Sequence, residues 1–218
     1  MAKITKGILG GVSGLVGTVV GATFRTLDII RSRPKKSGKT PVQSQIDQRS
    51  KFALITALMS RIKLFVDEGF KPKSKYLSPV NTAVQYNLNN AITGVSPDFR
   101  IDFAKLLISN GNLASVVDYD LVAAAEGNVT VTWNTDDRDF GPDEKAIRAK
   151  DSARLVLYNE DADAFMLTGY IMRSVGRIET RAPRASAGNV VHAFLFFVAE
   201  DHKSASTSEY LGSAIMLD

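Results

Sequence analysis

The second half of the chain contains a series of short stretches with the alternating pattern of a β-strand. Residues 128–133 place Val129, Val131 and Trp133 on one side and threonines on the other. This period of two is typical of a strand with one buried face. Comparable stretches lie at residues 100–109, 153–158, 164–172, 177–180, 190–199 and 209–216, separated by turn-forming residues. Regularly spaced short strands of this kind predict antiparallel sheets.

Two helices are expected before these strands. Thr40 and Pro41 are suited to a helix start, and Gln43 completes a capping box. Apolar residues then recur at helical spacing up to Gly69, which predicts one helix of about seven turns. A second helix is expected to begin at Ser78-Pro79 and to stop at Gly94. The two are predicted to form a hairpin with their apolar faces together.

These patterns give the predicted fold class. It is α+β: an N-terminal glycine-rich basic arm and an α-helical hairpin, followed by an antiparallel immunoglobulin/fibronectin-like β-sandwich. The expected divisions are residues 1–39 for the arm, 40–97 for the hairpin and 98–218 for the sandwich. The run Ala193–Val198 is apolar on both faces, which predicts a central strand or one covered by the helices.

The regular glycines of the N-terminal segment leave its conformation open. On a helix they would form one smooth stripe that allows close packing of another backbone, and we expect them to serve subunit packing. The β-branched residues around them favour an extended form instead. A secretory signal or a membrane span is not expected, because six glycines interrupt the apolar run from residue 7 to residue 24. The glycines of the stripe are Gly7, Gly10, Gly14, Gly17 and Gly21.

Positive charge is concentrated in the first part of the chain. Residues 1–76 contain fifteen Lys and Arg against four Asp and Glu, whereas residues 77–218 contain twelve against nineteen. This asymmetry suggests contact with a polyanion, head-to-tail contact between subunits, or simply a solvated basic surface. Residues 37–40 fail the phosphate-loop pattern, because position 33 is Arg rather than Gly. The predicted contacts to nucleic acid or another polyanion are Arg25, Arg31, Arg33, Lys35, Lys36 and Lys39, with Lys71, Lys73 and Lys75 as further candidates.

No pattern in the sequence indicates catalysis. The chain has no cysteine, and structural roles are favoured for its two histidines, because His192 begins an apolar strand and His202 lies in a charged loop. The acidic stretches 136–144 and 159–163 do not match the twelve-residue calcium loop, so solvated turns are favoured. We therefore expect a protein that is not an enzyme, with no catalytic residue, cofactor or metal.

Several motifs carry a resemblance to a known family. They are Ser13-Gly-Leu-Val-Gly-Thr-Val-Val-Gly21, Ile30-Arg-Ser-Arg-Pro-Lys-Lys36, Thr40-Pro-x-x-Ser-Gln45, Gln48-Arg-Ser-Lys-Phe52, Tyr86-Asn-Leu-Asn-Asn-Ala-Ile-Thr-Gly94, Pro97-Asp-Phe99 and Tyr210-Leu-Gly212. Over nearly its whole length the chain resembles a family of uncharacterised proteins from Bacteroidota. The portion around Thr40 to Phe52 also resembles small phage-associated proteins of structural type. The resemblance implies no activity, and it implies a bacterial or bacteriophage origin.

The expected function is that of a non-enzymatic, self-assembling structural protein, a virion coat or filament subunit. Its basic arm would contact neighbouring subunits and nucleic acid, by analogy with coat proteins that carry a basic arm ahead of a β-sandwich. The expected state is a homo-oligomer in a virion or a cytoplasmic assembly, without a cleaved signal peptide. Two alternatives stay open: a monomeric nucleic-acid-associated protein, and a cell-surface adhesion module with a fibronectin-like domain.

Overall fold

The computed structural model describes residues 3–4, 10–24, 27–35, 38–70, 77–116, 118–135, 141–142, 148–184 and 186–217. Within these residues the chain is a mixed α/β protein with three α-helices and several antiparallel sheets. It divides into two compact units, residues 1–42 and 43–218. We call them the N-terminal unit and the C-terminal unit.

The N-terminal unit is a four-stranded antiparallel sheet. Its strands run consecutively, in the order β1 (Lys3–Ile4), β2 (Val12–Val16), β3 (Val19–Phe24) and β4 (Leu27–Ser32). Valine, isoleucine and threonine dominate these strands, and such residues favour a pleated backbone over a helix. Of the two conformations that the sequence left open for this segment, the described residues adopt the extended one.

Glycines make the sheet of the N-terminal unit possible in two ways. Gly17 has φ +56° and Gly14 has φ +110°, values that L side chains rarely adopt. At Gly21, an added Cβ would lie 1.9 Å from the carbonyl oxygen of Val12. The close backbone approach at Gly21 is therefore to β2 of the same unit, and the expected subunit packing of the glycines stays a prediction.

Three helices begin the C-terminal unit: α1 (Gln43–Arg61), α2 (Lys63–Gly69) and α3 (Pro79–Asn90). The prediction of one helix from Thr40 to Gly69 is wrong, because the helix begins at Gln43 and is interrupted at Ile62. Beyond this interruption α2 buries Phe65 and Val66.

The start of α3 is as predicted from the sequence. The Ser78 hydroxyl accepts a hydrogen bond from the Asn81 backbone N–H at 3.2 Å, and Pro79 occupies the first turn. The helix ends at Asn90, four residues before the predicted stop at Gly94.

The remaining strands of the C-terminal unit form three antiparallel sheets. A small sheet pairs β5 (Ile92–Thr93) with β6 (Arg100–Ile101). A three-stranded sheet has the order β12-β8-β7, and a five-stranded sheet has the order β10-β9-β13-β14 with β11 beside β9. The strands of these two sheets are β7 (Tyr119–Ala123), β8 (Asn128–Trp133), β9 (Ser152–Asn159), β10 (Ala164–Leu167), β11 (Ile171–Met172), β12 (Arg177–Arg181), β13 (Val190–Val198) and β14 (Glu209–Ile215).

Most of the predicted strands are confirmed, two differ, and one strand of the larger sheets was not predicted. The stretch at residues 164–172 is two strands, and β7 was not predicted. Residues 100–109 contain only β6 and a short 3₁₀ turn, Phe103–Lys105. Leu107 does not join a sheet, because its N–H donates to the Asn87 side chain at 2.9 Å and its carbonyl accepts from that side chain at 2.8 Å.

The five-stranded sheet is buried on both faces by different elements. One face packs against the helices through residues such as Val156 and Phe194. The opposite face packs against the three-stranded sheet, where Leu155 and Phe197 share a cluster with Trp133. This double burial accounts for the continuous apolar run of β13 and confirms that it is a central strand.

Candidate assembly and polyanion-contact surface

The sheet of the N-terminal unit exposes large apolar side chains on both of its faces. In the register of β3 and β4, Ala22 lies opposite Ile29 on one face and Gly21 lies opposite Ile30 on the other. Ile30 is 67% exposed and Leu27 is 66% exposed. The exposed apolar side chains are Leu15, Phe24, Leu27 and Ile29 on the first face, and Ile4, Val16, Val19 and Ile30 on the second.

The small size of the N-terminal unit limits how much apolar surface it can bury. None of the described residues of the N-terminal unit belongs to either of the two core clusters. A unit of about 40 residues without disulfides or a metal rarely buries enough apolar surface to be stable alone. Contiguous apolar surface on a soluble protein usually marks an interaction site. We call this surface the exposed sheet.

Basic side chains follow one another at the end of the exposed sheet. Arg31 lies in β4, and the backbone N–H of Arg33 donates to the Thr18 carbonyl at 2.9 Å, which extends the pairing beyond the strand. A pocket of about 580 Å³ is lined by Gly17, Thr18, Ser32, Arg33, Pro34 and Lys35. Two cations and two hydroxyls therefore line one concave surface, a composition suited to phosphate oxygens.

The sequence of the N-terminal unit adds to this positive surface. It contains eight Lys and Arg and one acidic residue, Asp28. The Asp28 carboxylate accepts a hydrogen bond from the Thr23 hydroxyl at 2.9 Å. Arg31, Arg33, Lys35 and Lys39 are all exposed.

The structure separates the predicted site residues into three groups. Arg25, Lys36 and Gly7 lie outside the described residues, as do Lys71, Lys73 and Lys75. The described basic residues lie on or just after β4. Gly10, Gly14, Gly17 and Gly21 do not form a helical stripe: Gly14 lies opposite Gly21 between β2 and β3, and Gly17 is in the turn that joins these strands.

The C-terminal unit holds a second group of polar residues around His192. Its Nδ1 lies 2.9 Å from the Tyr210 hydroxyl, and its Nε2 lies 3.2 Å from the Glu160 carboxylate. The imidazole stacks on Phe103 with the ring centroids 4.2 Å apart, and burial raises the pKa of Tyr210. Both ring nitrogens thus have partners within the fold, as expected for a structural histidine.

The acidic stretch at residues 159–163 is also engaged by the fold. Asp161 accepts the Val190 backbone N–H at 2.8 Å, and Asp163 pairs with Arg61. No group of three metal-ligating side chains occurs among the described residues. Most of the other acidic stretch, residues 136–144, lies outside the described residues.

A buried arginine was missed by the sequence reasoning. Arg154 is 6% exposed and makes two hydrogen bonds to the Glu68 carboxylate, at 2.9 and 3.0 Å. Its guanidinium also lies over the Tyr170 ring, 4.0 Å from the centroid. The signal was present, because Arg154 is the one charged residue inside the apolar strand β9. The pair holds α2 to the five-stranded sheet and is structural.

The first turns of α1 present an exposed surface. A shallow pocket of about 450 Å³ is lined by Ser44, Gln45, Gln48, Arg49 and Phe52. Phe52 is 51% exposed. These residues belong to two of the motifs that carry the family resemblance, and on the helix they share one face.

Comparison with known proteins assigns the chain to a family but gives it no activity. No helix among the described residues is long and apolar enough to cross a membrane. No curated protein matches the chain. A match to the Family of unknown function (DUF6266) covers residues 11–212, which is most of the sequence. The chain therefore belongs to the DUF6266 family.

Proposed function

We propose that this chain is a non-enzymatic, self-assembling structural protein, a virion coat or filament subunit. The observation that carries the proposal is the exposed sheet, which presents apolar side chains on both faces. Complete burial of one such side chain contributes about 1.5–3 kcal/mol. Assembly would therefore supply the burial that the N-terminal unit does not achieve by itself.

The same unit is proposed to contact a polyanion such as nucleic acid. Arg31, Arg33, Lys35 and Lys39 are exposed, and two of them line the pocket beside Thr18. Contacts of this kind neutralise phosphates without reading bases, so binding should weaken steeply with salt. A monomeric nucleic-acid-associated protein is the second candidate, supported by the same basic residues.

A finer description of the fold accompanies this proposal. We propose that the strands form an immunoglobulin/fibronectin-like β-sandwich, α1 and α3 a helical hairpin, and the N-terminal segment an arm. The core cluster shared by the two larger sheets supports the sandwich. The sequence motifs support an origin in Bacteroidota or a bacteriophage, and hence a place in a virion or a cytoplasmic assembly.

Removal of residues 1–39 tests the proposed function. The full chain should sediment as species larger than a monomer, increasingly so at higher concentration, and the shortened chain as a monomer. The full chain should also bind duplex DNA with a logarithmic salt slope of about −0.9 for each phosphate contacted. The shortened chain should lose that binding, because it lacks the exposed basic residues.

Circular dichroism provides the control that the shortened chain is folded. A full chain with Arg31, Arg33 and Lys35 all changed to Gln is the matched variant, because it keeps the exposed sheet. It should lose about 3 from the salt slope if each cation meets one phosphate. A full chain that is monomeric at every concentration would overturn the assembly proposal.

A further inference from the structure

Strand β4 leaves one of its edges without a neighbour. It is the last strand of its sheet and, among the described strands, pairs only with β3. The hydrogen bond from the Arg33 N–H to the Thr18 carbonyl shows that odd-numbered residues of this segment direct their backbone groups toward β3. Since these directions alternate along an antiparallel strand, Asp28, Ile30 and Ser32 direct theirs outward. No proline or lysine blocks this edge.

Strand β7 has an edge without a backbone partner in the C-terminal unit, although β14 lies near it and the Tyr119 hydroxyl donates to the Tyr210 carbonyl at 3.3 Å. It ends the three-stranded sheet. Asn134 donates its N–H to the Asp118 carbonyl at 2.9 Å, and Ala124 donates to Asn128 at 2.8 Å. Even-numbered residues therefore direct their backbone groups toward β8, while Tyr119, Leu121 and Ala123 direct theirs away from it. Within the described chain these outward groups have no backbone partner.

The two edges carry opposite charge. Arg31 and Arg33 are exposed on and after β4, and the N-terminal unit carries a net charge of +7 by sequence. Asp118 and Asp120 are exposed at the start of β7. Between Lys105 and Arg138 the sequence contains no Lys or Arg. Neither β7 nor β8 therefore carries a basic side chain that would compete for Asp118 and Asp120.

Resting on the proposed function, we infer that β4 of one copy pairs antiparallel with β7 of a second copy. The outward backbone groups meet when Ile30 lies opposite Leu121. That register also places Arg31 opposite Asp120 and Ile29 opposite Val122. It brings Arg33, just after β4, toward Asp118, which precedes β7 and has a φ of +52°. Directly opposed side chains of opposite charge and paired β-branched side chains both stabilise antiparallel strands.

Other arrangements satisfy fewer of these features. A shift of two residues keeps the backbone hydrogen bonds but places Ile29 opposite Asp120 or Ala124, and so loses the pair of Ile29 with Val122. Pairing of β4 with β4 of the second copy would join two units of net charge +7 and leave β7 open. The charges therefore select β7 as the acceptor strand.

The inferred contact has a consequence for assembly. It joins two different surfaces of the chain, so after the first contact one copy keeps a free β7 edge and the other keeps a free β4 edge. Contacts of this head-to-tail type build rings when the rotation closes and open filaments when it does not. A filament or shell can grow from one kind of contact in this way.

Because the chain contains no cysteine, engineered crosslinks can test the register. Ile29 and Val122 form a non-hydrogen-bonded pair in the inferred register, where Cα atoms lie about 4.5 Å apart, within disulfide range. Two full-length chains, Ile29→Cys and Val122→Cys, are mixed and oxidised. A covalent dimer of the two different chains is expected. Adding Asp120→Lys to the Val122→Cys chain should reduce the yield of this dimer. Adding Arg31→Glu to the Ile29→Cys chain should then restore the yield.

Matched controls place the cysteine at the opposite edge of each sheet. Lys3→Cys replaces Ile29→Cys, and Glu179→Cys replaces Val122→Cys; both control mixtures should lose the crosslink. An Ile29→Cys homodimer would overturn the inference in favour of β4–β4 pairing. An internal disulfide in a chain carrying both cysteines would overturn it in favour of pairing within one chain. If the unmodified chain assembles but the crosslink between positions 29 and 122 does not form in the variants, only this inference is overturned. If the unmodified chain is monomeric, the proposed function is overturned as well.

Discussion

The two units of the chain differ in how far they bury their apolar side chains. In the C-terminal unit, β13 is buried on both faces, and Phe194, Phe196 and Phe197 are 1% exposed or less. In the N-terminal unit, all six residues of β4 are exposed, Ile29 and Ile30 among them. The strands of both units are rich in the same residue types, so composition does not explain the difference.

The difference comes from the number of layers that each unit possesses. The five-stranded sheet has helices on one face and a second sheet on the other. The described residues of the N-terminal unit form a single sheet, which cannot cover either of its own faces. The apolar residues that a single layer leaves exposed therefore indicate where a partner would bind.

Substitution of a core phenylalanine should have the largest effect on stability. Phe194 is fully buried between β13 and the helices. Phe194→Ala should lower the free energy of unfolding by about 3–5 kcal/mol, because it removes buried surface and leaves a cavity. Urea unfolding followed by circular dichroism measures the change.

A substitution in the exposed sheet provides the contrast. Ile30→Ala should change the unfolding free energy by less than about 0.5 kcal/mol in the dilute chain, and it should weaken assembly instead. Equal destabilisation by the two substitutions would mean that Ile30 is already buried, and the contrast between the units would be lost.

Much of the C-terminal unit could be predicted from local patterns. The alternation in β8 and the Ser78-Pro79 helix start each depend on neighbouring residues only, and both are confirmed. The apolar character of β13 on both faces also indicated a central strand correctly. These features depend on short-range chemistry that a sequence states directly.

The features that were missed depend on residues far apart in sequence. Leu107 is kept out of a sheet by Asn87, twenty residues earlier. Arg154 is buried because Glu68, which is 86 residues away, lies beside it. The interruption at Ile62 separates two helices that both contribute to one buried cluster, which includes Ile62 and Phe65. In the candidate site, the basic residues were identified from sequence, whereas the exposed sheet that carries Arg31 required the strand register.

The buried ion pair provides the next largest predicted effect. Glu68→Ala leaves the guanidinium of Arg154 buried with only the Thr168 carbonyl and the Tyr170 ring beside it. We expect a loss of about 3 kcal/mol in the free energy of unfolding, because an unpaired buried charge is costly. Urea unfolding at neutral pH measures it.

The exposed pair of Arg177 and Glu179 is the matched control, with a distance of 2.8 Å between the charged atoms. Glu179→Ala should change stability by less than about 1 kcal/mol, since water already solvates both partners. Similar losses for the two glutamates would show that burial does not set the cost of breaking an ion pair in this unit.

Alkaline pH should weaken the C-terminal unit through Tyr158. Burial, together with the nearby Asp163 carboxylate, raises the pKa of Tyr158 from 10.0 to about 12. The folded chain thus keeps this proton between pH 10 and 12, where the unfolded chain loses it. The stabilisation is complete below pH 10 and is lost as the pH rises toward 12, by about 2–3 kcal/mol. Tyr158→Phe should flatten this decline in urea midpoints measured from pH 8 to 11.5.

Tyr86, which is 37% exposed, provides the control substitution. Tyr86→Phe should leave the alkaline decline unchanged, and a smaller decline should persist in Tyr158→Phe because the pKa values of Tyr170 and Tyr210 are also raised.

The N-terminal unit contains no tyrosine. The inferred contact nevertheless uses β7 of the C-terminal unit, so it should persist only up to the pH at which that unit unfolds. If crosslinking between Ile29→Cys and Val122→Cys chains declined together with the unfolding midpoint, the contact would depend on the stability of the unit that carries β7.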